Sequence, residues 1–177
     1  MSSESPRPTN EKVVSFDNLI KTVQLKKGEG KKVGLITGGF DVMHLGHTRL
    51  FRFAKENVDV LVVGIEQDQT LTLSKGQGRP INNLADRSEF LSELDSVDYV
   101  FTIPFVFQYG ALEKADELYA EMYSQLQPDF LISNTVTDRF WELKKKRAEG
   151  MGMGFLGQGN RENTSSTLIA DKIRGEI

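Results

Sequence analysis

Val33-Gly34-Leu35-Ile36-Thr37-Gly38-Gly39-Phe40-Asp41-Val42-Met43-His44-Leu45-Gly46-His47 is the stretch whose reading decides the fold. It opens as a short apolar run closed by two glycines, which suits a buried strand feeding a tight turn. Beyond Gly46, Leu50, Phe51 and Ala54 are spaced as one face of a helix. A strand, a glycine turn and a helix in that order point free backbone N–H groups, and the positive end of the helix dipole, at whatever lies beyond the strand. Phosphate suits such a place, and Gly38 and Gly39 are expected to let the backbone approach it because no Cβ intervenes.

The same strand signal recurs at Val60–Ile65, Tyr99–Ile103 and Phe130–Ser133, with a weaker fifth case at Gly152–Leu156. Helical spacing fills the intervals. Ala115, Leu118, Tyr119, Met122 and Tyr123 mark one face of a segment whose other face is charged, and Leu91 and Leu94 follow a cap signal at Asn83. Strand and helix therefore alternate, and right-handed crossovers favour a single α/β domain with a Rossmann-like, doubly wound, mostly parallel five-stranded sheet. Ligands in such sheets bind beyond the carboxyl ends of the strands, where the glycine turn sits. Residues 1–12, polar and proline-bearing, are expected to be a disordered tail before a domain over 13–177.

The chain has 177 residues, 38 % of them hydrophobic, enough for one compact core. Its formal charge of −3 gives no field that would gather nucleic acid or an anionic membrane, so phosphate binding must be local. There is no cysteine, which excludes a disulfide framework and thiolate metal sites. No apolar stretch reads as a signal peptide or a membrane span, and a cytoplasmic setting is expected.

His44 and His47 are the only histidines. At a helix start, on either side of Leu45-Gly46, they can aim both imidazoles at one group. When a phosphate attacks the α-phosphorus of a nucleotide it is already charged and needs no base; the catalytic problem is stabilising charge on the α-phosphate and the departing pyrophosphate. A hydrolytic metal site would need further ligands, and none is assigned to a metal.

The run Gly38-Gly39-Phe40-Asp41 through His44-Leu45-Gly46-His47 resembles the signature of the cytidylyltransferase-like nucleotidyltransferases, G-x-F-D followed by H-x-G-H. Lys75-Gly76-Gln77-Gly78-Arg79-Pro80 is similar to the K-G-x-G-R-P loop of heptose adenylyltransferase domains in that family, and Ser165-Ser166-Thr167-Leu168-Ile169 resembles its S-[ST]-T-x-I element. The resemblance implies an enzyme that transfers AMP or CMP from ATP or CTP, with Mg2+, to a sugar or polyol phosphate, and forms a homodimer. It implies catalytic roles for His44, His47 and Lys75, and nucleotide contacts from Gly38, Gly39, Phe40, Asp41, Ser165, Ser166 and Thr167. Arg79 and Thr135 are implied at the acceptor. Asp41 is expected to act by accepting backbone N–H bonds that fix the loop.

Two features depart from the family pattern, and the first is Leu168, where the S-[ST]-T-x-I element often carries a lysine or asparagine. The acid expected after the fourth strand is missing from Ser133-Asn134-Thr135-Val136-Thr137, leaving Asp138 as a stand-in or as a cap for a helix from Arg139. A nucleotide-binding regulatory protein without catalysis is the alternative this motivates. Lys144–Arg147 reads as a solvated helix face, and the aromatics between Phe101 and Tyr109 as core, substrate wall or subunit contact.

Overall fold

The computed structural model describes residues 9–160 and 165–175. Five strands, β1 (Val33–Gly38), β2 (Val60–Ile65), β3 (Tyr99–Thr102), β4 (Phe130–Asn134) and β5 (Gly154–Gln158), form one sheet in the order β3-β2-β1-β4-β5. Every pairing is parallel. β5 lies slightly later than its sequence signal because Gly152, at φ +74, turns the chain out of the preceding helix before the strand begins.

Helices α1 (Thr9–Lys12), α2 (Phe16–Gly28), α3 (Leu45–Asn57), α4 (Asp68–Lys75), α5 (Leu84–Ser92), α6 (Leu112–Leu126), α7 (Trp141–Gly150) and α8 (Ser166–Arg174) complete the order. Alternation along the strands sends side chains to two cores. Val33, Leu35 and Val62 pack with Leu19 of α2, Tyr119 and Tyr123 of α6 and Ala148 of α7. Ile36, Leu61 and Val63 pack on the opposite face with Phe51 and Ala54 of α3 and Leu91 of α5. The strand order reverses between β1 and β4, so the crevice opens at their carboxyl ends.

Helical structure begins earlier than expected. Thr9–Lys12, assigned above to the tail, is a helical turn, and Lys12 is buried with its Nζ donating to Leu94 O at 3.0 Å. Val14 N–H then bonds Val100 O at 2.9 Å, extending β3 outward. Residues 1–8, the rest of that segment, lie outside the described residues. Among the described residues no helix is long and apolar enough to cross a membrane.

Candidate active site

A cavity of about 560 Å³ opens at the carboxyl ends of the strands. Its wall includes Gly38, Gly39, Phe40, His44, His47 and Lys75 from the first half of the chain and Ser165 from the last helix cap, so elements distant in sequence meet on one space.

The first turn is built by sterics. Phe40 takes a left-handed φ of 48°, and its ring packs against Phe51 and His47 at 5.6 and 5.4 Å between centroids. A Cβ on Gly39 would lie 2.7 Å from Leu71 and 3.3 Å from Glu66 Oε2. Gly39 is thus required by the packing of α4 as much as by access to an anion.

Asp41 is 1 % exposed and does not line the cavity. Its Oδ1 accepts N–H bonds from Ile81 and Asn82 at 2.6 and 3.1 Å, and its Oδ2 accepts from Arg79 Nε at 2.5 Å. It fixes the loop as expected from its chemistry. Arg79 is consumed in the same cluster, buried and turned to Asp41 rather than lining the cavity. Thr135 likewise points away from the acceptor space: its hydroxyl donates to Gln158 O at 3.2 Å and its methyl packs on Gly157, while the nearby Thr137 lines the cavity.

His44 and His47 form a reciprocal cap at the start of α3. His44 Nδ1 accepts from Gly46 N–H at 3.2 Å, and His47 Nδ1 accepts from His44 N–H at 3.3 Å. Both Nδ1 atoms are occupied as acceptors, so each neutral ring carries its proton on Nε2, as a donor. The rings lie 3.9 Å apart between centroids. Burial, then His44 and Lys75 beside it, pushes His47 down from 6.5 to about 3. The ring is therefore an uncharged donor at neutral pH.

That shift links stability to pH. The unfolded chain binds a proton on His47 near pH 6.5 while the fold refuses it until about pH 3, so stability is fully present above 6.5 and falls as the pH drops through that window. Between about pH 7 and pH 5 the loss from this one group is about 2 kcal/mol. Urea unfolding of His47→Gln, which keeps an acceptor and cannot titrate, is expected to lose about 2 kcal/mol less than the native chain over the same interval. Equal losses in both proteins would show that His47 is not held neutral.

Lys75 is the last residue of α4, not a loop residue; Gly76, at φ +91, ends the helix behind it. Partial burial, then the Arg79 charge, holds its ammonium below the ordinary lysine value. On the opposite side Ser165 caps α8, its hydroxyl accepting from Leu168 N–H at 3.1 Å. Ser166 and Thr167 open that helix, where backbone N–H groups favour an anion.

The wall holds further residues besides those assigned to the site from sequence. The basic run splits: Lys145 and Lys146 are exposed, but Lys144 turns inward, pairing with Asp138 at 2.8 Å and donating to Thr37 O at 3.2 Å. Arg147 is buried, its guanidinium 5.1 Å from the Tyr119 ring centroid and paired with Asp116. The solvated-face reading therefore fails for Lys144 and Arg147, because α7 lies over β4 and β5 with this side against the cavity. Asp138 accepts from Ser133 and from Phe140 N–H just before α7, which starts at Trp141 rather than Arg139. Lys144 first among its partners holds the Asp138 carboxyl below its usual range, against the burial that alone would raise it. Phe107 and Tyr109 form part of the cavity wall, whereas Phe101 and Ile103 are core. Glu66, at the end of β2, was not singled out at all. The available signal was a single acid closing an apolar run.

Two imidazoles, a lysine and a hydroxyl-capped helix thus surround one crevice of a doubly wound parallel sheet. Residues 35–172 match the family model described as cytidylyltransferase-like, and the chain belongs to that family. It is similar to the bifunctional protein HldE of Sulfurimonas denitrificans, 34 % identical over 165 residues, covering 93 % of this chain and 31 % of the relative. The chain thus spans about a third of the length of the curated relatives it matches. Among solved structures it resembles the lipopolysaccharide core biosynthesis protein of Thermoplasma volcanium GSS1, with a TM-score of 0.54 and 21 % identity over 75 % of this chain and 99 % of that one. It also resembles the pantoate-beta-alanine ligase of Francisella tularensis complexed with beta-gamma ATP and beta-alanine, with a TM-score of 0.62 and 18 % identity over 93 % of this chain and 78 % of that one.

Proposed function

We propose that this domain transfers AMP or CMP from ATP or CTP to a sugar or polyol phosphate. An oxygen of the acceptor phosphate bonds to the α-phosphorus, the bond from that phosphorus to the β-bridging oxygen breaks, and pyrophosphate departs with the electron pair. No proton need be removed from the nucleophile. The observation that carries the reading is the meeting of the His44/His47 cap with the Ser165 helix cap on one cavity.

In this reading the Nε2–H groups of His44 and His47 donate to the α-phosphate as charge builds on it. Gly39 and Phe40 meet the same phosphates through the backbone. Ser165, Ser166 and Thr167 hold the β and γ phosphates at the start of α8, and Lys75 neutralises charge between donor and acceptor. Asp41 and Arg79 serve by holding the first turn to the 79–82 segment. Asp138, on the cavity wall after β4 and paired with Lys144, is the acid that would stand in for the one missing there, which favours catalysis over an inert nucleotide-binding regulator.

Among the described residues no three His, Asp or Glu side chains gather as a metal site. Magnesium would be carried to the site by the triphosphate, whose oxygens, with water, can hold it. Bound there, the ion would neutralise charge on the departing pyrophosphate.

The deciding experiment measures pyrophosphate release with ATP and with CTP across a panel of phosphorylated sugars and polyols. Release with one acceptor class is expected; tight nucleotide binding without release on any acceptor would overturn the reading. Lys75→Ala is expected to lower kcat/KM by roughly ten- to a hundredfold, the loss of one charge-assisted contact. An unchanged kcat/KM would remove Lys75 from the assignment.

A further inference from the structure

Glu66 follows directly on the all-buried strand β2, is 7 % exposed, and contributes to the cavity wall. Among the described residues one side chain donates to its carboxyl, the Tyr109 hydroxyl at 2.5 Å from Oε2. Tyr109 is itself held in place. Its N–H bonds Ser74 Oγ at 3.1 Å, its ring meets Phe140 edge-on at 5.7 Å, and the Arg139 guanidinium lies 5.4 Å from its centroid.

Burial raises the Glu66 carboxyl above its ordinary value, against the Tyr109 hydrogen bond and the nearby cations that lower it. In its ionised form it would repel the triphosphate and the acceptor phosphate alike, and its spare lone pairs call for a donor. An ammonium donor would meet the charges of Lys75, Lys144 and Arg87, which all act on this carboxyl. A hydroxyl meets neither objection.

We propose that Glu66, positioned by Tyr109, reads the acceptor: it accepts a hydrogen bond from a hydroxyl on the part away from the phosphate, and it rejects acceptors bearing a second anionic group there. Glu66 is thereby a specificity residue and Tyr109 a positioning residue. The proposal rests on the nucleotidyltransferase reading of the cavity and adds to it the chemistry of the acceptor.

The test is calorimetric titration of the full chain, saturated with a non-hydrolysable ATP or CTP analogue, at mildly alkaline pH. Three probes of one ring shape are compared: glucose 1-phosphate, glucosamine 1-phosphate and glucuronic acid 1-phosphate. Glucose 1-phosphate is expected to bind at least about tenfold more tightly than the other two, the size of a like-charge or unpaired-group penalty. In Glu66→Gln the preference over glucuronic acid 1-phosphate should shrink to within about threefold, while the affinity for the nucleotide analogue stays within about twofold. Tyr109→Phe, which removes one hydroxyl and little else, should reduce the same preference by at least about threefold and serves if Glu66→Gln does not fold.

Four outcomes overturn the proposal: equal binding of the neutral and carboxylated sugars by the native chain, tightest binding of the amino sugar, unchanged discrimination in both variants, or no binding of any of the three. Failure of the nucleotide analogues to bind the native chain is a separate result, and it would remove the nucleotidyltransferase reading together with this extension of it.

Discussion

His44→Asn is expected to lower the rate of pyrophosphate release by about a hundred- to a thousandfold, the usual cost of about 3 to 4 kcal/mol for losing one transition-state donor. Asparagine is chosen because the histidine does two things at once. Its Nδ1 caps α3 by accepting from Gly46 N–H, and in the proposed mechanism its Nε2–H donates to the α-phosphate. Asparagine is among the best cap residues, so its amide oxygen can keep the first function while its shorter reach forfeits the second. Folding stability should then stay within about 1 kcal/mol of the native chain. His44→Ala should show the same kinetic loss and, in addition, about 1 kcal/mol of lost stability from the missing cap. If instead the asparagine variant releases pyrophosphate at the native rate, His44 is a cap alone and the catalytic assignment of the pair is wrong.

The sheet was legible because parallel strands covered on both faces must be apolar throughout, and Val33–Thr37, Val60–Ile65 and Phe130–Ser133 stand out against charged flanks. α6 was equally plain, since its apolar and charged faces separate cleanly. α2 was not. Only Leu19 and Val23 of its residues are buried, so its stripe is thin and lysine-rich. α4 lacked a signal of its own kind: Asp68–Lys75 contains two threonines, and its place is set by long-range bonds such as Phe107 N–H to Thr70 Oγ1 and Thr72 Oγ1–H to Arg79 O. Such contacts have no trace in local periodicity. The site divides in the same way. The histidine cap and the Ser165 cap are local devices, written in consecutive residues. The Glu66–Tyr109 pair is not, because a strand end and a loop far along the chain meet only once β2 and β3 are paired. Arg79 and Thr135 show the opposite case: their residue types suit phosphate or sugar, and each bonds a protein partner that no local signal announces.

Arg87→Met is expected to destabilise the fold by about 3 to 5 kcal/mol, the range for removing one partner of a buried charged network. Arg87 lies within α5 and is 2 % exposed. Its guanidinium donates to Gly39 O at 2.5 Å, Glu66 O at 2.9 Å, Asn82 O at 3.1 Å and Asp68 Oδ1 at 2.6 Å. One planar fork therefore ties the first turn, the end of β2 and the start of α5 together, beneath the cavity that all three border or support. Methionine fills much of the stem volume, so the cost isolates the polar loss: carbonyl oxygens of three segments are left without their donor. Lysine keeps the charge but offers one compact donor group in place of the fork, and Arg87→Lys should recover only part of the loss. Because the Gly39–Phe40 peptide is one of those anchored through its carbonyl, the Phe40 N–H on the same plane, which meets the nucleotide in the proposed mechanism, loses its fixed direction. Release rates measured on the folded fraction of Arg87→Lys should consequently fall as well, through kcat rather than through nucleotide KM. Denaturant unfolding decides the structural half: an Arg87→Met midpoint that implies less than about 1 kcal/mol of change would mean that water replaces the guanidinium at little cost and that the first turn stands without it.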